Sequence, residues 1–250
     1  MNGYYSTDQG KVRAHNEDAG GYFSNAGGQG LAVIADGMGG HKAGDVASQM
    51  ATSLLSDIWK ETAELASPED AESWLDDTLL RVNQSILDYS RGHEECEGMG
   101  TTIVAVICAQ DFITIAHVGD SRCYLINEQG FKQVTEDHSL VNELVRSGQI
   151  SKDDAEHHPR KNVLLKALGT EESVQADIQS IGWDKGDKLL LCSDGLTNKL
   201  SDEELEGVLS SSEVLQDSAR QLIDMANERG GEDNISVVLV DYDSSGEGES

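Results

Sequence analysis

Four aspartates stand where strand-length apolar runs stop or start. They occur in Val33-Ile-Ala-Asp36-Gly37, in Ala116-His-Val-Gly-Asp120-Ser121 and in Leu189-Leu-Leu-Cys-Ser-Asp194-Gly195. The fourth lies in Gly230-Gly-Glu-Asp233-Asn234, just ahead of the apolar run that begins at Ile235. A carboxylate beside a core strand is costly unless it is paired or holds a cation. Few basic residues flank these positions, so a bound cation is the simplest partner. Oxygen ligands without cysteine or clustered histidine favour Mg2+ or Mn2+ over structural zinc. Glycine after Asp36 and Asp194 permits a sharp turn and leaves a backbone carbonyl free to approach a metal. The alternative reading is an ordinary turn aspartate, which suits Asp111 and Asp243 better than these four.

A pair of such ions would lower the pKa of water toward neutrality, which suits in-line attack on phosphorus. Arg13, three residues before Asn16-Glu17-Asp18, is the candidate for binding phosphoryl oxygens, because its fork matches them bidentately. A surface ion pair is its competing role. His41, after Gly37-Met-Gly-Gly40, is a candidate to protonate a departing oxygen as general acid, with a structural role in a glycine-rich turn as its competing reading. His117 reads as a buried hydrogen-bonding residue. The Gly37–Gly40 run lacks the full nucleotide-binding patterns. Ser193 sits in no GxSxG elbow, and no phosphate loop ending in arginine follows Cys192. Hydrolysis by metal-activated water is the simpler chemistry.

Positioning these groups requires strands that end together. Leu31–Ala35, Thr101–Cys108, Phe112–Val118, Lys188–Cys192 and Ile235–Val240 have strand length and branched side chains. Short turns at Ala109-Gln-Asp111 and Glu128-Gln-Gly130 predict consecutive hairpins, hence antiparallel sheet. Apolar periodicity predicts helices from about Ala43 to Trp59 and from about Ala71 to Tyr89, separated at Pro68. The stripe of the second is Leu75, Leu79, Val82, Ile86 and Tyr89. Ser201-Asp-Glu-Glu204 reads as a capping box before Leu205, and a last helix is expected over Val214–Glu228. Leu140–Lys161 reads as a small exposed excursion of two short helices about Gly148. The expected domain is 1–242, with a disordered acidic tail over 243–250.

The bulk properties exclude several classes. The chain has 46 Asp and Glu against 18 Lys and Arg, a formal net charge of −28, so a nucleic-acid partner is excluded as electrostatically repelled. Its apolar runs are too short to span a membrane, and the first residues lack the apolar core of an export signal, so a cytoplasmic protein is expected. The four cysteines form no CxxC pair; Cys108 and Cys192 read as small core residues.

Taken in order, these motifs resemble the PPM/PP2C family of metal-dependent Ser/Thr protein phosphatases, in its compact bacterial form. The resemblance runs from about Ser6 to Asp241. It rests on Arg13-Ala-His-Asn-Glu-Asp18, Asp36-Gly-Met-Gly-Gly-His41, Gly100-Thr-Thr102, His117-Val-Gly-Asp-Ser-Arg122, Ser193-Asp-Gly195 and Gly231-Glu-Asp-Asn234. It implies an α+β fold: a four-layer α/β/β/α sandwich with two central antiparallel sheets and a binuclear Mn2+ or Mg2+ centre at one end. In that reading Asp36 bridges both ions, Gly37 contributes its carbonyl, and Asp194 and Asp233 complete the first site. Glu17 or Asp18 serves the second ion, with the choice open. Asp120 with Asp194 makes a third, weaker site. Arg13 binds substrate phosphate, His41 is the general acid, and Leu140–Lys161 becomes a mobile flap. The implied activity is hydrolysis of phosphoserine and phosphothreonine in proteins by a monomer that opposes a Ser/Thr kinase. Rival readings are a phosphohydrolase of small esters and a non-catalytic phosphoprotein-binding module of the same fold. One departure is Lys166, where related proteins often carry arginine.

Overall fold

The computed structural model describes residues 1–40, 43–211 and 214–242. The first part of the chain forms β1 (Asn2–Asp8), β2 (Asp18–Ser24), β3 (Gly30–Met38), α1 (Ala43–Lys60) and α2 (Pro68–Gly92). A run of short strands follows: β4 (Gly100–Thr101), β5 (Ile103–Cys108), β6 (Phe112–Val118), β7 (Arg122–Asn127) and β8 (Gly130–Gln133). Next come α3 (Leu140–Arg146), α4 (Lys152–Glu156), β9 (Asp177–Gly182) and β10 (Lys188–Cys192). The chain ends with α5 (Asp194–Thr197), α6 (Asp202–Ser211), α7 (Leu215–Glu228) and β11 (Ile235–Asp241).

Two sheets carry the site. One has the order β1-β11-β10-β7-β8, the other β2-β3-β5-β6-β9 with β4 paired to β3. The strand pairings are antiparallel, as the hairpin spacing predicts. The alternation of side chains in β3 explains why its run is apolar throughout. Ala32 and Ile34 pack between the sheets against Leu125, Leu189, Leu191 and Val238, while Leu31, Val33 and Ala35 face α1 and α2. The outer face of the other sheet, with Leu190, Val237 and Leu239, is covered by Leu205, Leu209, Ala219 and Leu222 of α6 and α7. The layers are therefore helix, sheet, sheet, helix. Burying each Leu or Ile here contributes roughly 1.5–3 kcal/mol.

Several expectations need adjusting. Pro68 does not merely separate the helices: it opens α2 in the first turn, where a missing N–H costs nothing, and Ser67 Oγ caps Asp70 N at 3.2 Å. Tyr89 leaves the buried stripe and stacks on His93 at the surface, ring centroids 3.9 Å apart. The expected strand 101–108 breaks at Thr102. Its N–H bonds to Asp36 O at 2.8 Å and its Oγ1 accepts from Asp36 N at 3.0 Å, so it leaves the ladder to hold the end of β3. The excursion after His138 holds α3 and α4 about Gly148, with Ser151 and Asp154 forming a capping box. All four cysteines are buried thiols. Among the described residues no helix is long and apolar enough to cross a membrane. The expected tail 243–250 lies outside the described residues.

Candidate metal centre

The strand ends meet at one end of the two sheets. In the β2–β3 ladder Asp18 pairs directly with Asp36. Asp194 follows β10, and Asp233 precedes β11, the neighbour of β10. Two hydroxyl hydrogen bonds brace the region there. Ser193 Oγ donates to Asp18 Oδ2 at 2.7 Å, and Thr102 Oγ1 shares a 2.7 Å hydrogen bond with Ser121 Oγ beside Asp120. Gly37 and Gly195 are required by space: a Cβ on Gly37 would run into the Gly44 carbonyl, and one on Gly195 into the Asn234 carbonyl.

Charge crowding is the dominant property. Burial, then Asp18, Asp194, Asp120 and Asp233, push the Asp36 carboxyl well above its ordinary range. Burial lifts Asp18 to about 7, opposed by hydroxyl hydrogen bonds and reinforced by Asp194 and Asp233. Asp120 rises to about 7 through burial and Asp194, and Asp194 to about 6 through burial and Asp233. Asp36, Asp120 and Asp194 keep part of their surface exposed, so they are crowded by protein and still reachable from solvent. Asp18 is buried, and its Oδ1 has no hydrogen-bond partner among the described residues. Four crowded carboxylates and an orphaned oxygen are what a divalent cation would satisfy, so the donor set fits Mn2+ or Mg2+.

The remaining predicted residues take different places. Arg13 lies at the rim, its side chain 47% exposed, with Nη2 2.6 Å from Asp233 Oδ2 and Nη1 4.0 Å from Glu17 Oε2. Glu17 thus faces Arg13, while Asp18 turns inward against Asp36; burial raises the Glu17 carboxyl, with Arg13 opposing. His41 lies outside the described residues. His117 is buried, and its Nε2 lies 2.8 Å from Glu136 O, as a structural histidine should. Asp120 and Asp194 line a cleft of about 900 Å³ whose other wall includes Val141, Lys152 and Lys161 of the excursion.

Sequence reasoning assigned no role to Asn234, yet it staples the irregular 9–17 segment to the head of β11. Its Nδ2 donates to Gln9 O at 2.8 Å and His15 O at 2.9 Å, and its Oδ1 accepts from Glu17 N at 2.8 Å. The Asp-Asn pair ahead of an apolar run was the available signal.

A second cluster holds His117, His138 and Asp177, with potential ligand atoms within 4.8 Å of one another. A cation already stands there. Lys166 Nζ is 3.0 Å from Asp177 Oδ1, and His138 Nδ1 accepts from Gly119 N at 3.1 Å. A metal would have to displace the ammonium, so the strand-end aspartates fit a metal better.

The family model for protein phosphatase 2C matches residues 8–239. The serine/threonine phosphatase stp of Listeria monocytogenes serotype 4b (strain F2365) is 52% identical over 248 residues, covering 99% of this chain and 98% of its own. The crystal structure of the serine/threonine phosphatase Stp1 from Staphylococcus aureus superposes with a TM-score of 0.90 at 39% identity, covering 95% of this chain and 93% of that one. The catalytic domain of the serine threonine protein phosphatase PstP, solved in complex with 2 manganese ions, gives a TM-score of 0.83 at 34% identity over 96% and 97% of the two chains.

Proposed function

This chain belongs to the protein phosphatase 2C family, and from that membership we propose how its own residues perform the reaction. The chain is a metal-dependent enzyme that hydrolyses phosphoserine and phosphothreonine in proteins. The observation that carries the reading is the crowd of carboxylates at the sheet ends, with the Oδ1 of buried Asp18 unpartnered among the described residues.

Asp36, the Gly37 carbonyl, Asp194 and Asp233 hold two core ions, Mn2+ or Mg2+. Asp18 serves the second ion in preference to Glu17, because its free oxygen is buried beside Asp36 whereas Glu17 faces Arg13. Asp120 with Asp194 makes a third, weaker site on the cleft wall. When bound, the ions lower the pKa of water and offset phosphoryl charge. Arg13, anchored on Asp233 at the rim, binds the phosphoryl oxygens through its remaining donors. His41 protonates the departing serine or threonine oxygen. Residues 1–242 act as one domain and as a monomer, with 140–161 a flap over the cleft. The enzyme works in the cytoplasm and reverses the product of a protein Ser/Thr kinase, the class of enzyme that makes its substrates.

The test is turnover of a phosphothreonine peptide and of a sugar phosphate, each with Mn2+ and with excess chelator. Peptide hydrolysis with Mn2+, its loss with chelator, and a kcat/KM at least about 100-fold lower for the sugar phosphate are expected. Equal efficiency on both substrates would favour the small-ester reading.

A further inference from the structure

We propose that His138 is a positioning residue that fixes the Gly119–Asp120 turn to the root of the 140–161 excursion. The proposal deepens the phosphatase reading, since it matters through Asp120. His138 grips Gly119 twice: its backbone N–H donates to Gly119 O at 2.8 Å, and its ring Nδ1 accepts from Gly119 N at 3.1 Å. The same residue anchors the excursion, because its carbonyl accepts from Leu165 N at 2.8 Å. Next to it Leu140 N bonds Val163 O at 2.8 Å, and Ser139 bridges to Leu164. Both ends of the excursion therefore converge on a residue that touches the turn carrying Asp120.

The rest of the cluster sets the tautomer. With Nδ1 accepting, the proton of the neutral ring is on Nε2, which lies 3.3 Å from Asp177 Oδ2. Lys166 Nζ, 3.0 Å from Asp177 Oδ1 and 3.4 Å from Nε2, holds that carboxylate in place. Burial, then His117 and Lys166, lower the His138 pKa, which favours the neutral ring. His117 stacks on it, centroids 4.6 Å apart. On the far side, Gly119 (φ 112°) leaves no room for a Cβ beside Thr102, the residue that also bonds Asp36 N. A shift of His138 would reach Asp120 through the adjoining Gly119.

Two amide substitutions separate this role from bulk packing. The Oδ1 of asparagine sits near the place of Nδ1 and can still accept from Gly119, whereas the amide of glutamine reaches toward Nε2 and leaves Gly119 N unpaired. His138→Gln is expected to lower kcat on a phosphothreonine peptide about tenfold, with KM within about twofold. It should also weaken only the lower-affinity phase of Mn2+ binding by calorimetry. His138→Asn should stay within about threefold of the parent in kcat. Equal losses in both variants, or none in either, would overturn the proposal while leaving the phosphatase reading intact. Inactivity of the parent protein would instead strike that reading. The imidazole 15N spectrum of the unmutated protein does not depend on any variant folding: a proton on His138 Nδ1 at neutral pH overturns the proposal, and a bare, hydrogen-bonded Nδ1 supports it.

Discussion

Asp36→Asn is expected to reduce Mn2+-dependent hydrolysis of a phosphothreonine peptide by at least about 1,000-fold while making the chelated protein more stable. The side chains are nearly isosteric, and the backbone bonds of Asp36 to Thr102 do not involve the carboxylate. What changes is charge. The carboxyls of Asp36, Asp18, Asp120 and Asp194 all titrate above their unfolded values through burial and mutual repulsion. A carboxyl raised in the folded state costs nothing below its unfolded pKa. The cost grows as pH rises from the unfolded pKa and levels off above the folded pKa, because the unfolded chain gives up its proton first. In the metal-free protein the cluster therefore destabilises progressively from about pH 4 to above 7. Asparagine at position 36 removes part of that cost. In excess chelator at pH 8 a gain of about 1–3 kcal/mol is expected, seen as several degrees in melting temperature, and little gain at about pH 3, below the unfolded pKa. Loss of stability on substitution at pH 8 would show that the crowding is not felt.

Asn234→Ala is expected to cost about 3 kcal/mol in denaturant unfolding and to raise the KM for phosphopeptide about tenfold. The buried amide makes three hydrogen bonds to a segment that has no helix or strand of its own between Asp8 and Asp18. Truncation leaves the Gln9 and His15 carbonyls and the Glu17 N–H without those bonds, and it loosens the loop that presents Arg13. Mn2+ affinity should fall less, because Asp36 stands on β3 and Asp194 opens α5, outside the 9–17 segment. A stability change under about 0.5 kcal/mol would mean that the segment is held by something other than this staple.

The sequence was most readable where burial is double-sided. Leu31–Ala35, Phe112–Val118 and Lys188–Cys192 are apolar on both faces because each sheet lies between another sheet and a helix layer, so even a short run identifies a strand. β1, β2 and β9 went unseen for the opposite reason. Asn2–Asp8 and Asp177–Gly182 are edge strands with few buried side chains. In β2, Gly20 lies against Tyr5 of β1 and Gly21 against the ring of Phe23 in β2 itself, so neighbouring aromatic rings supply the bulk that these glycines lack. The aspartates were legible as a set because each breaks an apolar pattern. Which of Glu17 and Asp18 turns inward was not legible, since it depends on the β2–β3 register that pairs Asp18 with Asp36. Nor were the supports. Ser193 meets Asp18 and Asn234 meets Glu17 across most of the chain, and no local spacing encodes such contacts.

Anomalous diffraction from crystals soaked in Mn2+ would locate the ions directly. Peaks enclosed by Asp36, Asp194 and Asp233, with one close to Asp18, are expected. An empty strand-end cluster at millimolar Mn2+, or density only beside His117, His138 and Asp177, would contradict the assignment.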